Sequence, residues 1–122
     1  MEALIRRVFS LVDACEWDRL GEVFAPDVVD HMGIGTAVGV DSFVAAVLPF
    51  SEMVPGLQHE VYDVIALADD MALFSVRATG PGLDIVVANA ARIVDGRVHE
   101  HWGPGEQAMG QIMAQLALPS AS

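Results

Sequence analysis

The densest group of side chains able to move a proton lies in Asn89-Ala-Ala-Arg-Ile-Val-Asp-Gly-Arg-Val-His-Glu-His-Trp-Gly103, which carries His99, Glu100 and His101 in succession. A second group is Asp30-His31. Imidazole suits proton transfer near neutrality because its unperturbed pKa is about 6.5, so His31 is a candidate general base. Glu100 is either an acid working inside a pocket or the partner of Arg92 or Arg77 in a scaffold. A carboxylate on an apolar wall needs a partner or a purpose.

Asp95-Gly96 is a two-residue turn signal between β-prone runs, so Asn89 to Val94 and Arg97 to Gly103 are expected to form an antiparallel hairpin. Regular pairing from that turn sets Val94 opposite Arg97, Ile93 opposite Val98, Ala91 opposite Glu100 and Asn89 opposite Trp102. Alternation then assigns Asn89, Ala91, Ile93, Val98, Glu100 and Trp102 to the mostly apolar inner face. Arg92, His99 and His101 fall on the outer face, where a histidine pair alone does not hold a metal firmly.

The elements that must position these residues follow from periodicity. Ala3, Leu4, Val8, Leu11 and Val12 recur at helical spacing, which predicts an amphipathic helix over about 2–15. A shorter helix is predicted from Trp17 to Phe24, ended by Ala25-Pro26, then a short strand Val28 to His31. Gly33, Gly35 and Gly39 read as loop punctuation and make no dinucleotide fingerprint. Asp41 or Ser42 caps a third helix carrying Phe43, Val44, Val47 and Leu48, broken by Pro49 and Pro55. From Leu57 the period becomes two. Strands are expected over Leu57–Leu67, Met71–Thr79 and Leu83–Val94, in a meander that ends with the hairpin. Met109, Ile112, Met113 and Leu116 form a final helical stripe that ends near Pro119. The fold class is therefore α+β, an antiparallel sheet curved over N-terminal helices around an internal pocket.

The 122 residues suffice for one domain, 1–122, with its own core. Seventeen acidic residues against six arginines, with no lysine, give a formal charge of -11. Such a surface repels phosphate backbones and anionic lipid, so neither nucleic acid nor membrane is expected as a partner. Cys15 is the lone cysteine, so no internal disulfide forms. No zinc-ligand spacing occurs, and neither metal nor cofactor is expected. The N-terminus lacks the pattern of a signal peptide and no apolar run approaches the roughly 20 residues of a membrane span, so a cytoplasmic protein is the expectation.

Phe24-Ala-Pro-Asp-Val-Val-Asp-His31, Gly39-Val-Asp41 and Arg92-Ile-Val-Asp-Gly-Arg-Val-His-Glu-His-Trp102, with the closing Gln115-Leu-Ala-Leu-Pro119, resemble the polyketide-cyclase-like (SnoaL-like) branch of the nuclear-transport-factor-2-like superfamily. Ketosteroid isomerases, limonene epoxide hydrolases and scytalone dehydratases share that α+β cone. In the cyclases an Asp directly after Glu-His-Trp is the acid/base group, and here that position is Gly103. In ketosteroid isomerases the position of Asn89 holds a protonated Asp that hydrogen-bonds the developing enolate. An amide donates at every pH, so the resemblance implies an oxyanion-stabilising Asn89. It also places the general base at Asp30-His31, with His31 the closer match, whereas the isomerases' tyrosine donor falls at Val8 and is missing.

Together these readings imply a cofactor-independent enzyme of secondary metabolism acting on an apolar, carbonyl-bearing, polyketide-like small molecule. Its step would be proton abstraction next to the carbonyl, leading to isomerisation or aldol-type cyclisation, with His31, Asn89 and Glu100 as catalytic residues. Asp30, Trp102, Tyr62, Arg77 and Trp17 are candidate substrate contacts. Asp63 and Asp84 are further carboxylates that alternation could aim inward, and at most one of Tyr62 and His59 reaches the cavity. Epoxide opening, with an inward carboxylate and Arg77 or His31, is the alternative enzyme reading. A non-catalytic binding or accessory protein is the third. A homodimer or higher oligomer through the outer sheet face is expected.

Overall fold

A computed structural model describes residues 1–33 and 35–117. Helix α1 (Glu2–Asp13) is followed by a 3₁₀ helix (Trp17–Glu22), strands β1 (Phe24–Met32) and β2 (Gly35–Val38), and helix α2 (Val40–Met53). Strands β3 (Gln58–Ala68), β4 (Met71–Gly80), β5 (Leu83–Val94) and β6 (Arg97–Trp102) come next, and then helix α3 (Glu106–Gln115). The predicted helical end near Pro119 lies outside the described residues.

The strands form one sheet in the order β2-β1-β6-β5-β4-β3. Neighbours are antiparallel except β1 and β6, which run parallel. Helix α1 turns Ile5, Val8, Leu11 and Val12 onto this sheet, as the helical spacing requires. The segment after it is a six-residue 3₁₀ helix, shorter than the expected Trp17–Phe24 helix. Phe24 and Ala25 are instead buried at the start of β1. Pro26 is tolerated there because the ladder to β6 is interrupted between Phe24 and Val29, where no N–H is demanded of it.

Two further departures have simple causes. β2 pairs with the edge of β1, with Ala37 as its one buried residue, so it leaves no alternating pattern to read. Helix α2 runs through Pro49 to Met53. The last turn is anchored by burial of Val54, whose N–H reaches the Phe50 carbonyl at 3.0 Å.

The core has two parts. One joins α1, the 3₁₀ helix, Phe43 of α2 and the inner face of the sheet. The other gathers Val54, Leu83, Ile85, Met109 and Ile112 where α3 meets β5. Gly33 lets β1 approach the start of α3, since a Cβ there would stand 2.6 Å from the Gly105 carbonyl oxygen. Between the two parts of the core the helices and the sheet leave a cavity of about 170 Å³.

Candidate active site

The cavity wall is almost wholly apolar, with Phe9, Phe43, Val76, Ile85 and Met109 among its lining. Four polar residues also line it: Asp30, His59, Asn89 and His101. Asn89 arrives from β5 by plain alternation, opposite the buried Phe74 of β4. Asp30 arrives from β1, between the outward Val29 and His31.

His101 arrives because the hairpin is not regular. Val94 pairs with Arg97 and Ile93 with Val98, as the turn predicts, but Arg92 then pairs with Glu100 rather than His99. His99 is the extra residue of a β-bulge, and one extra residue exchanges the faces of everything beyond it. His101 pairs with the buried Ala91 and enters the cavity. Glu100 and Trp102 pair with Arg92 and Ala90 and leave it. The expected inner-face positions of Glu100 and Trp102, and the outer-face position of His101, are therefore reversed.

The parallel neighbour β1 sets Asp30 beside His101 and His31 beside Trp102. Inside the cavity, His101 Nδ1 meets Asp30 Oδ2 at 2.8 Å and Nε2 meets Asn89 Oδ1 at 2.8 Å. Asp30 and Asn89 are 2% and 5% exposed. The Asn89 amide is oriented by its own donor, since Nδ2 donates to the Val87 carbonyl at 3.2 Å and so turns Oδ1 toward the imidazole. An imidazole between two acceptors satisfies both only with hydrogen on each side. The Asp30–His101 pair accordingly holds one proton between its members, and a second on Nε2 directed at Asn89. The ring is clasped by Phe74, stacked at 6.3 Å between centroids, and by Phe9, edge-on at the same distance.

Gly103 stands next to this ring. A Cβ at 103 would lie 3.3 Å from His101 Cε1 and 3.9 Å from Asn89 Oδ1. The position from which the cyclases project their acid/base Asp therefore adjoins the imidazole, and its lack of a side chain leaves the ring room.

On the opposite face, His31 Nε2 meets Glu100 Oε2 at 2.6 Å and stacks on Trp102 at 5.3 Å between centroids. Arg92 lies 3.6 Å from the other Glu100 oxygen. The hydrogen bond from His31, and after it the charges of His31 and Arg92, hold the Glu100 carboxyl below its ordinary range, with partial burial opposing them. His31, Glu100 and Trp102 thus form one cluster outside the cavity.

The remaining candidates are dispersed. Arg77 is paired through two bonds to Asp84, at 2.9 and 2.7 Å, on the outer face between the cavity-lining Val76 and Ala78. Tyr62 follows the buried Val61 and points away from the cavity, whereas His59 lines it. Asp63 sits at a positive φ of 55° where β3 breaks register. Trp17 packs half-buried on the main core, away from the cavity lining. The sequence pattern set His101 on the outer face and left His59 as one of two residues that could reach the cavity. The run His-Glu-His-Trp drew attention to the right strand, but no residue in it announces a bulge.

Helices set against one face of a curved, unclosed sheet, with a small apolar cavity holding a few buried polar groups, define the α+β cone of the nuclear-transport-factor-2-like superfamily. The chain belongs to the SnoaL-like domain family, which matches residues 5–101. Its fold is shared with IdmH of Streptomyces antibioticus, described as a candidate polyketide cyclase (19% identity, 96% of this chain and 98% of that one, TM-score 0.77). It is shared also with a candidate polyketide cyclase of Sinorhizobium meliloti (21% identity, 84% and 94%, TM-score 0.73). A hypothetical protein of Catenulispora acidiphila with a ketosteroid-isomerase-like fold is similar too (17% identity, 96% and 94%, TM-score 0.76). Over 57 residues the chain is 32% identical to the sordarin/hypoxysordarin biosynthesis cluster protein G of Sordaria araneosa. That match takes in 47% of this chain and 39% of the relative, so it spans about two fifths of that protein's length.

Proposed function

We propose that the protein is a cofactor-independent isomerase or cyclase of secondary metabolism. Its substrate is a small, apolar, carbonyl-bearing molecule, and His101 is the proton donor at its centre. One observation carries this reading: His101 bridges two buried polar side chains, Asp30 and Asn89, inside a cavity otherwise walled by apolar groups. When a substrate carbonyl enters, the Nε2 hydrogen can turn from Asn89 Oδ1 to the carbonyl oxygen as an adjacent C–H proton is lost. Enolate charge then develops against a fixed donor in a dry site, where such stabilisation is strongest. Asp30 remains as counter-charge to the ring. Asn89 acts through His101, orienting the ring rather than meeting the oxyanion alone. Membership of the SnoaL-like family and the partial match to a biosynthesis-cluster protein support the kind of chemistry.

Epoxide opening by Arg77 with an inward carboxylate is not favoured by the geometry, because Arg77 is held by Asp84 outside the cavity. The donor reading is tested with cyclohex-3-enone, a one-ring β,γ-unsaturated ketone whose conversion to the conjugated enone is followed by absorbance. Wild-type protein should accelerate it, and His101→Gln should lower kcat/KM by on the order of 10²-fold. An undiminished rate in a folded His101→Gln protein would overturn the assignment.

A further inference from the structure

We infer that the cavity contains a second acid–base pair, His59–Asp13, and that His59 is the proton acceptor that works opposite His101. The inference rests on the reading of His101 as donor and supplies the base which that reading lacks.

Asp13 ends α1 and His59 opens β3. The carboxylate holds the histidine at two points, taking the backbone N–H at 2.8 Å on Oδ2 and meeting ring Nδ1 at 2.6 Å with Oδ1. The two side chains are only 11% and 16% exposed. A carboxylate that accepts from Nδ1–H fixes the tautomer and leaves the lone pair on Nε2. No side chain or backbone group among the described residues engages that Nε2. The ring lines the cavity and packs on Phe9 at 5.1 Å between centroids. Phe9 also touches His101, at 6.3 Å. Both imidazoles therefore border one aromatic ring and face one space.

Their surroundings differ in the way a donor and an acceptor must differ. His101 lies between two polar partners and points an Nε2 hydrogen at Asn89; His59 has one acceptor and keeps a free lone pair. A tie between α1 and β3 would need only the backbone N–H bond to Asp13. The ring adds a second bond to that tie, from Nδ1 to Asp13 Oδ1, and stands as an imidazole in an otherwise apolar wall.

The step balances without a co-reactant. His59 Nε2 takes the proton from the carbon next to the carbonyl, and the C–H electron pair becomes the enolate. In isomerisation the extended enolate takes that proton back from His59 Nε2 at the far carbon, as the carbonyl and the conjugated double bond re-form. In cyclisation it forms a carbon–carbon bond to a second carbonyl carbon, whose oxygen takes the Nε2 proton of His101. Each histidine then returns to its starting state by exchange with water, and the product is an isomer of the substrate. The volume also limits the reacting part. An apolar cavity of about 150 Å³ holds a molecule the size of benzene, so about 170 Å³ accommodates one ring or two small fused rings between the histidines.

The probe is 5-nitrobenzisoxazole, a fused bicycle that one base opens by taking its C–H proton. The N–O bond breaks, a nitrile forms and a coloured phenolate is released. Wild-type protein should open it faster than buffer, His59→Ala should lower kcat/KM by about 10²-fold, and Asp13→Asn by about tenfold with circular dichroism unchanged. Nitrogen NMR gives a reading independent of turnover. His59 should appear as the Nδ1–H tautomer, and 4-nitrophenol should shift the His59 and His101 ring signals together. If His59→Ala, still folded, opens the probe at the wild-type rate while His101→Gln loses cyclohexenone isomerisation, the second pair is overturned and the donor reading stands. If His59→Ala loses probe opening while His101→Gln keeps full isomerisation, the donor reading falls, and with it the pairing of the two histidines.

Discussion

At the scale of single residues, the site turns on what stands beside His101. Asp30 and Asn89 offer it acceptors on both sides, and Gly103 keeps a third neighbour away. A Cβ at 103 would stand 3.3 Å from His101 Cε1, so a side chain there would press on the ring. On the other face, Glu100 carries a measurable consequence. Its carboxyl is held below the ordinary value of 4.5, first by the hydrogen bond to His31. A group with a depressed folded pKa stabilises the fold fully above its unfolded value, and that contribution is lost as pH falls through the lower folded value. The thermal midpoint of wild type should exceed that of Glu100→Gln by roughly 2–4 °C near pH 6. The gap should narrow as pH falls below about 4.5 and through the lower folded value, as followed by circular dichroism. A gap that does not change with pH would mean that packing, not the charge on Glu100, sets the difference.

At the scale of elements, the hairpin shows how far a pattern carries. The Asp95-Gly96 turn and the first two pairs follow from local sequence, because turn type and strand twist are local properties. The bulge at His99 does not. It lets β6 meet β5 on one side and, in parallel, β1 on the other, and β1 is some seventy positions away in the chain. Asn89, reached from β5 without crossing the bulge, was legible; His101, beyond it, was not. His31 was misplaced for a related reason: adjacent residues of a strand face opposite ways, and nothing local said which of Asp30 and His31 would meet the cavity. The contact between β1 and α3 carries its own prediction. Gly33→Ala would drive a Cβ to 2.6 Å from the Gly105 carbonyl oxygen, a backbone atom that cannot swing aside. The expected loss is about 1–3 kcal/mol of stability in denaturant unfolding. An unchanged midpoint would mean that α3 is free to move off the cavity.

At the scale of the whole molecule, the sheet face turned away from the helices carries exposed apolar side chains. Ile65, Leu73 and Val86 are 54%, 38% and 54% exposed there. We propose that the expected homodimer uses this face, because exposed apolar side chains gathered on one sheet face favour association. Sedimentation should give a dimer at tens of micromolar for wild type and a monomer for Leu73→Glu. A monomeric wild type would dispose of the expectation. The cavity lies on the other side of the sheet, so association on the convex face leaves His59 and His101 untouched. No described helix is long and apolar enough to cross a membrane.

The amino-acid sequence by itself determined the architecture, since amphipathic period, turn chemistry and family motifs are carried by neighbours in the chain. Helices before a meander, the hairpin at Asp95-Gly96 and the inward Asn89 all rest on such local facts. Only the tertiary structure decided the chemistry of the cavity. A bulge at His99 chose which side of β6 enters it, the parallel seam with β1 brought Asp30 to His101, and the end of α1 delivered Asp13 to His59. Each of those choices depends on contacts between segments far apart in sequence. A one-residue change of register reverses the face of every side chain beyond it, and no pattern within a single strand records that reversal.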